Sequence, residues 1–116
     1  MIMGKVWGST EELLSTPMLS MHRLKIFHDH QCSLHVHRFK WNGFYVISGR
    51  LFIEVIKNDY ALTDVTELGP GDSTTVRPGE HHRFRTGDEN CEALEFYYTE
   101  PLSEDIQRKD KGGPVE

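Results

Sequence analysis

The chain has 116 residues, of which 18 are acidic and 13 basic, so its formal net charge is −5. A chain of this length buries a hydrophobic core without a disulfide or a structural metal, and we expect a single domain over residues 1–116. The acidic balance disfavours nucleic acid and anionic membranes as partners, because both bind basic surfaces.

The cysteine content and the apolar runs indicate the compartment. Cys32 and Cys91 are too few for a disulfide framework. We expect two reduced thiols, with one structural bridge as the alternative. No apolar run approaches the ~20 residues of a membrane span, and no hydrophobic signal segment is visible. We therefore expect a cytoplasmic protein.

The predicted elements begin with "GSTEELLSTP" (residues 8–17), where a Ser9 or Thr10 cap and two glutamates favour a short helical turn that ends at Pro17. From Met21 onward, short alternating or β-branched runs predict strands. These runs are "MHRLKIF", "CSLHVHRF", "GFYVISG", "RLFIEVIK" and "ALEFYYTE", and turn sequences such as Asn58-Asp59 separate them. The pattern predicts an all-β sandwich or barrel with its core at about residues 20–100, followed by a polar tail at 103–116.

Two histidines in "SLHVHRF" suggest a metal site. His35 and His37 are two residues apart, so in a strand their side chains lie on one face. An isolated pair of this kind is more often an exposed polar position. The second half of the chain changes that balance, because His82 begins a strand just after the Pro78-Gly79 turn. Three neutral imidazoles on a rigid barrel suit one divalent transition metal: Zn, Fe, Mn, Ni or Cu.

These residues resemble the two motifs of the cupin superfamily. The first motif, G-x5-H-x-H-x3or4-E-x6-G, matches His35, His37 and Gly49, with Asn42 in place of Glu and Asp29 in place of the first Gly. The second, G-x5-P-x-G-x2-H-x3-N, matches Gly71, Gly79 and His82, with Arg77 in place of its first Pro and Thr86 in place of Asn. The resemblance implies a double-stranded β-helix, or jelly-roll barrel, in which His35, His37 and His82 are the metal ligands.

Within the cupins, the chain is most similar to the type II mannose-6-phosphate isomerase-like module. The similarity rests on the opening "KVWGSTEEL" (residues 5–13), on "SLHVH" (residues 33–37) and on the tail "LSEDIQR" (residues 102–108). That module usually has a carboxylate where Asn42 lies. Asn42 either ligates the metal weakly through its side-chain oxygen or forms a turn with Gly43 at the edge of the site.

A catalytic acid or base must then come from another strand. Alternation along "EALEFYYTE" places Glu95 and Tyr97 on one face of a strand, and the isomerase-like resemblance also has a Glu at position 95. A carboxyl group that faces an apolar barrel has a raised pKa and can act as a general base. The alternative is that Glu95 faces solvent. We expect Tyr97 to contact the substrate.

Three functions remain open from the sequence. The first is a sugar or sugar-phosphate isomerase or epimerase with one divalent metal, in which Glu95 moves a proton between adjacent carbons. The second is an Fe(II) dioxygenase-type cupin with a three-histidine site. The third is a non-catalytic module that binds a sugar or another small molecule. Arg38, Lys40 and Arg50 are candidates to meet an anionic substrate, and "MHRLKIF" is expected to pair two copies as an edge strand of a homodimer.

Overall fold

The fold consists of two antiparallel sheets. The structure is a computed structural model that describes residues 1–57, 62–99 and 105–115. Nine strands form the described part of the chain: β1 Ile2–Lys5, β2 Gly8–Ser15, β3 Leu19–Ile26, β4 Trp41–Ser48, β5 Leu51–Ile56, β6 Thr63–Leu68, β7 Ser73–Val76, β8 His81–Arg85 and β9 Cys91–Tyr98. The larger sheet has the order β1-β2-β3-β9-β4-β7, and the smaller has the order β6-β5-β8. The expected all-β jelly-roll architecture is confirmed.

The core lies between the inward faces of the two sheets. In β5, Leu51, Ile53 and Val55 are buried while their neighbours are partly exposed, which is the period-two pattern of a strand with one buried face. β9 behaves in the same way, with Ala93 fully buried and Glu95 two residues further along the same face. The hydrophobic core therefore continues directly into the polar position of Glu95.

The N-terminal segment is a strand, so the predicted helical turn at residues 8–17 is wrong. β2 pairs with β1 on one side and with β3 on the other, from Gly8 opposite Ile26 to Ser15 opposite Ser20. Pairing on both edges satisfies the backbone of this segment, and tertiary pairing overrides the local capping signal of Ser9 and Thr10. The side-chain oxygen of Thr16 accepts hydrogen bonds from the next turn, at the start of β3.

The topology also corrects two other expectations. β3 lies between β2 and β9, so "MHRLKIF" is not an edge strand and cannot pair two copies in the way predicted. Asn42-Gly43 does not form a turn, because both residues lie inside β4 and pair with Val76 and Thr75 of β7. Pairing of β4 with β7 and β9 satisfies the backbone hydrogen bonds of this dipeptide, although Asn-Gly favours turns in other contexts.

The histidine pair lies on an irregular extended segment, not on the predicted strand. Between β3 and β4, the chain forms two isolated bridges with β8, Gln31 with Arg85 and His35 with His82, and the Cys32 N–H donates to the Phe84 carbonyl at 3.1 Å. The His35 and His82 backbones exchange two hydrogen bonds, of 3.0 and 2.8 Å, and Gly79 donates to the carbonyl of His37 at 2.8 Å. These bonds hold the segment against the start of β8.

The C-terminal tail has no regular structure in its described part, residues 105–115. The predicted turn at Asn58-Asp59 and the "LSE" of the predicted tail motif lie outside the described residues. Within the described ranges, no helix has the length and apolar character needed to cross a bilayer.

Candidate metal centre and active site

His82 is fixed at the start of β8 by the turn that precedes it. Gly79 takes a φ of 86°, a left-handed conformation that suits glycine, and the strand begins two residues later. The His82 side chain is 2% exposed. Its Nδ1 lies 2.9 Å from the carbonyl oxygen of Glu80, so Nδ1 carries the proton and Nε2 is left as a lone-pair donor. This is the usual arrangement of a metal-binding imidazole.

His35 repeats this arrangement from the opposite segment. Its Nδ1 lies 2.8 Å from the carbonyl oxygen of Ser33, again two residues earlier in the chain. Nε2 is therefore the nitrogen that remains free. The rings of His35 and His82 have their centroids 4.6 Å apart, and their backbones are bonded to each other. The segment before β4 and the start of β8 thus each direct a free Nε2 atom into the same site.

His37 completes the cluster with an unpaired nitrogen. Its Nε2 is buried and has no hydrogen-bond partner among the described residues, which is costly for a polar atom away from water. The candidate ligand atoms of His35, His37 and His82 lie within 4.8 Å of one another. Burial, with the neighbouring imidazoles, lowers the pKa of His37 to about 4, and burial also lowers the pKa of His82. Neutral imidazoles are the form that binds a metal ion.

Asn42 lies behind the cluster and directs its oxygen toward it. The Asn42 side chain is 1% exposed, and its amide nitrogen donates to the Phe96 carbonyl at 3.0 Å and to Glu95 Oε2 at 3.3 Å. Its Oδ1 therefore faces His82 Nε2, at 2.9 Å.

The contact between Asn42 and His82 joins two lone-pair atoms, because the proton of His82 is on Nδ1. Two acceptors at this distance repel each other unless a cation lies beside both. A divalent ion bound by both atoms would remove this repulsion. The donor set of three imidazoles and one amide oxygen therefore fits a single divalent transition metal.

Glu95 is buried next to Asn42, on the inward face of β9. It is 6% exposed, so the solvent-facing alternative is wrong. Burial raises the pKa of Glu95 to about 7, although hydrogen bonds from Tyr97 and Asn42 and the charge of Lys5 act in the opposite direction. The Tyr97 ring lies 5.0 Å from the ring of His37, centroid to centroid. A continuous series of polar side chains thus runs from His82 through Asn42 and Glu95 to Tyr97.

A cavity of ≈ 550 Å³ borders the end of this polar series that contains Glu95 and Tyr97. His35, Glu95 and Tyr97 line it, together with the apolar side chains of Trp7 and Phe84. Lys5, Thr10, Glu12 and His22 also line the cavity, and none of them was predicted from the sequence. His22 lies directly opposite Glu95 in the β3–β9 pair, a relation that only the strand register reveals.

The remaining residues considered in the sequence lie elsewhere. His81 is exposed at the start of β8. Arg38, Lys40 and Arg50 do not line the large cavity, and Lys40 borders a separate cavity of ≈ 170 Å³ beside Tyr98. The two cysteines are buried free thiols, as predicted, and burial raises both pKa values to about 11.

Comparisons with solved structures show similar folds at low sequence identity. KdgF from Halomonas sp. superposes with a TM-score of 0.73 at 15% identity, over 87% of this chain and 89% of KdgF. Oxalate decarboxylase from Bacillus subtilis gives 0.75 at 17%, over 91% of this chain and 29% of that chain. CapF gives 0.75 at 17%, over 86% of this chain and 30% of that chain. The chain thus spans less than a third of the last two proteins.

The family comparison matches the segment that carries the site. A comparison with curated proteins finds no match. Residues 27–97, more than half of the chain, match the family described as "Cupin domain". This range contains the three histidines of the cluster, Asn42 and Glu95. The chain therefore belongs to the cupin domain family.

Proposed function

We propose that this protein is a metal-dependent cupin enzyme that transfers a proton between adjacent carbons of a small oxygenated substrate, in the class of sugar or sugar-phosphate isomerases and epimerases. The observation that carries the proposal is the position of Glu95. It is a buried carboxyl group beside the histidine cluster, it borders the large cavity, and its pKa is about 7. A general base is most effective when its pKa lies near the working pH.

His35, His37 and His82 would hold the metal, with the Asn42 side-chain oxygen as a fourth, weaker ligand. Bound there, a divalent ion would polarise a substrate carbonyl as a Lewis acid. The donor set is compatible with Zn, Fe, Mn, Ni or Cu. Manganese gains support from the Bacillus subtilis oxalate decarboxylase, which has Mn(II) centres.

The chain's own residues divide the remaining work. Glu95 accepts a proton from one substrate carbon and returns it to the next. Asn42 donates to Glu95 Oε2 at 3.3 Å and so fixes the orientation of the carboxylate. Tyr97 hydrogen-bonds Glu95 and borders the cavity, where it can also contact the substrate. Trp7 and Phe84, whose rings pack edge to face with centroids 4.9 Å apart, keep one wall of the cavity apolar.

The similarity to the mannose-6-phosphate isomerase-like module also favours this proposal. The phrases that carry it are "KVWGSTEEL" and "LSEDIQR". They support common ancestry with an isomerase-like module, and a shared activity is the part that needs an experiment.

The test is solvent deuterium incorporation into aldoses, ketoses and their phosphates by metal-loaded protein. Wild type should exchange a carbon-bound hydrogen of at least one sugar. Glu95→Gln should exchange it ~10²–10⁴ times more slowly, whereas Glu92→Gln should match wild type, because Glu92 lies on the opposite face of the same strand. No exchange by wild type with any sugar would reject the isomerase proposal and favour a binding module. Equal exchange by wild type and Glu95→Gln would remove Glu95 from the mechanism.

A second candidate, an Fe(II) dioxygenase, is favoured by one observation. The four candidate donors, three imidazoles and the Asn42 amide oxygen, are all neutral, so they leave the full charge of the ion uncompensated. Imidazole ligands suit iron, and open positions on the metal are what O₂ chemistry at Fe(II) requires. Oxygen consumption by iron-loaded protein, in the absence of deuterium exchange, would select this candidate.

A further inference from the structure

We infer that Lys5 of β1 binds an anionic oxygen group of the substrate, a carboxylate or a phosphate, so that the site takes small anionic sugars in preference to neutral ones. The inference rests on the proposed use of the large cavity as the substrate site. It concerns binding, however, and can be tested whether or not the protein catalyses proton transfer.

In the described part of the chain, β1 is the outermost strand of the larger sheet and pairs only with β2. Met1, Met3 and Lys5 all line the cavity, because alternate residues of a strand face the same side. The wall that β1 provides is thus apolar along most of its length and ends in one cation, Lys5.

Among the described residues, no carboxylate lies within ion-pair distance of Lys5. Glu12 also lines the cavity, but Lys5 is opposite Gly8 in the β1–β2 register. Four residues of strand, roughly 13 Å, separate Gly8 from Glu12. Glu12 therefore lies at the other end of the same wall.

Lys5 and Glu95 both line the large cavity, so the Lys5 side chain and the Glu95 carboxyl group border the same space. A ligand that reaches from the histidine cluster past Glu95 would bring its far end to Lys5. An anionic oxygen there would gain a charge-assisted hydrogen bond, which a neutral hydroxyl would form only weakly.

The experiment compares three pyranoses that differ mainly at one carbon: glucose, glucuronate and glucose 6-phosphate. Binding to zinc-loaded protein is measured by calorimetry for wild type, Lys5→Met and the control Lys25→Met. Lys25 lies on β3, does not line the large cavity, and gives the same change of charge. We expect wild type and Lys25→Met to bind at least one anionic sugar more tightly than glucose. Lys5→Met should weaken anion binding about tenfold and leave glucose binding unchanged.

The two anionic sugars distinguish the source of the charge, since preference for glucuronate selects a carboxylate and preference for glucose 6-phosphate selects a phosphate. The inference is wrong if no anionic sugar binds more tightly than glucose, or if Lys5→Met and Lys25→Met bind the anionic sugars equally. A Lys5-dependent preference without deuterium exchange would retain this inference and reject the proposed isomerase. Deuterium exchange without that preference would retain the proposed isomerase and reject this inference.

Discussion

The buried carboxyl group of Glu95 should make the metal-free protein less stable as pH rises, and Glu95→Gln should remove that loss. Glu95 has a pKa of about 7 in the folded chain against an ordinary value of 4.5. Between these values the folded state binds the proton more tightly than the unfolded state, so stability falls as pH rises through this range. The loss is complete by about pH 8, one unit above the folded pKa, and a difference of this size corresponds to roughly 3 kcal/mol.

Glu95→Gln keeps the size of the side chain and can still accept the hydrogen bond from Asn42. At pH 5, where Glu95 is mostly protonated, wild type and Glu95→Gln should differ by less than about 1 kcal/mol. At pH 8 the mutant should be more stable by about 2–3 kcal/mol. Comparing the two proteins cancels the opposite contributions of His37 and His82, whose lowered pKa values favour folding as pH rises.

The assay is urea unfolding at pH 5 and pH 8 with a chelator present, followed by tryptophan fluorescence. Glu92→Gln is the control, since Glu92 lies on the same strand but is partly exposed and near Arg23. Its stability relative to wild type should change by less than about 1 kcal/mol between the two pH values. If Glu95→Gln were no more stable than wild type at pH 8, Glu95 would not carry a raised pKa.

Three further predictions follow from the site and the fold. Without metal, the free energy of unfolding of His37→Ala should lie within about 1 kcal/mol of that of wild type, because the substitution removes an unpaired buried nitrogen. Metal at a hundredfold its Kd should stabilise wild type and the exposed-site control His81→Ala by about 2.7 kcal/mol but not His37→Ala, as measured by thermal unfolding; equal stabilisation of all three would exclude His37 as a ligand. Gly49→Ala should lower the free energy of unfolding in urea by about 2–4 kcal/mol, because Gly49 has a φ of 78° and the new Cβ would meet the Asn90 carbonyl. Gly71→Ala, at a φ of 87° but with open space around the new Cβ, should lower it by about 1 kcal/mol. Equal losses in the two variants would show that the contact with Asn90 does not matter. Light scattering at micromolar concentration should show a homodimer, paired through an edge strand such as β1 or β7, and a monomer alone would contradict it.

The sequence predicted those parts of the fold that depend on local pattern. The β-branched and aromatic run "RLFIEVIK" and the run "ALEFYYTE" predicted β5 and β9, and alternation in the second placed Glu95 and Tyr97 on one face. The Pro78-Gly79 turn predicted where the strand of His82 begins, because proline and glycine restrict a turn strongly.

Features set by distant pairing were not predictable in this way. The segment at residues 8–17 carries a helix-capping pattern, yet it pairs on both edges. Asn42-Gly43 has turn chemistry, yet it lies within a central strand. Lys5 and His22 enter the cavity through the order of strands in the larger sheet, which no local signal encodes. Strand register therefore decides which polar side chains meet at the site.

Metal analysis of the purified protein, prepared without a histidine tag, tests the three-histidine metal site most directly. Wild type should contain one divalent transition metal per chain by mass spectrometry. His35→Ala, His37→Ala and His82→Ala should each lose it, while Asn42→Ala should reduce the content only modestly and His81→Ala should retain it. Full metal content in His82→Ala would contradict the three-histidine site, because His82 is the ligand whose Nε2 faces Asn42 Oδ1 at 2.9 Å.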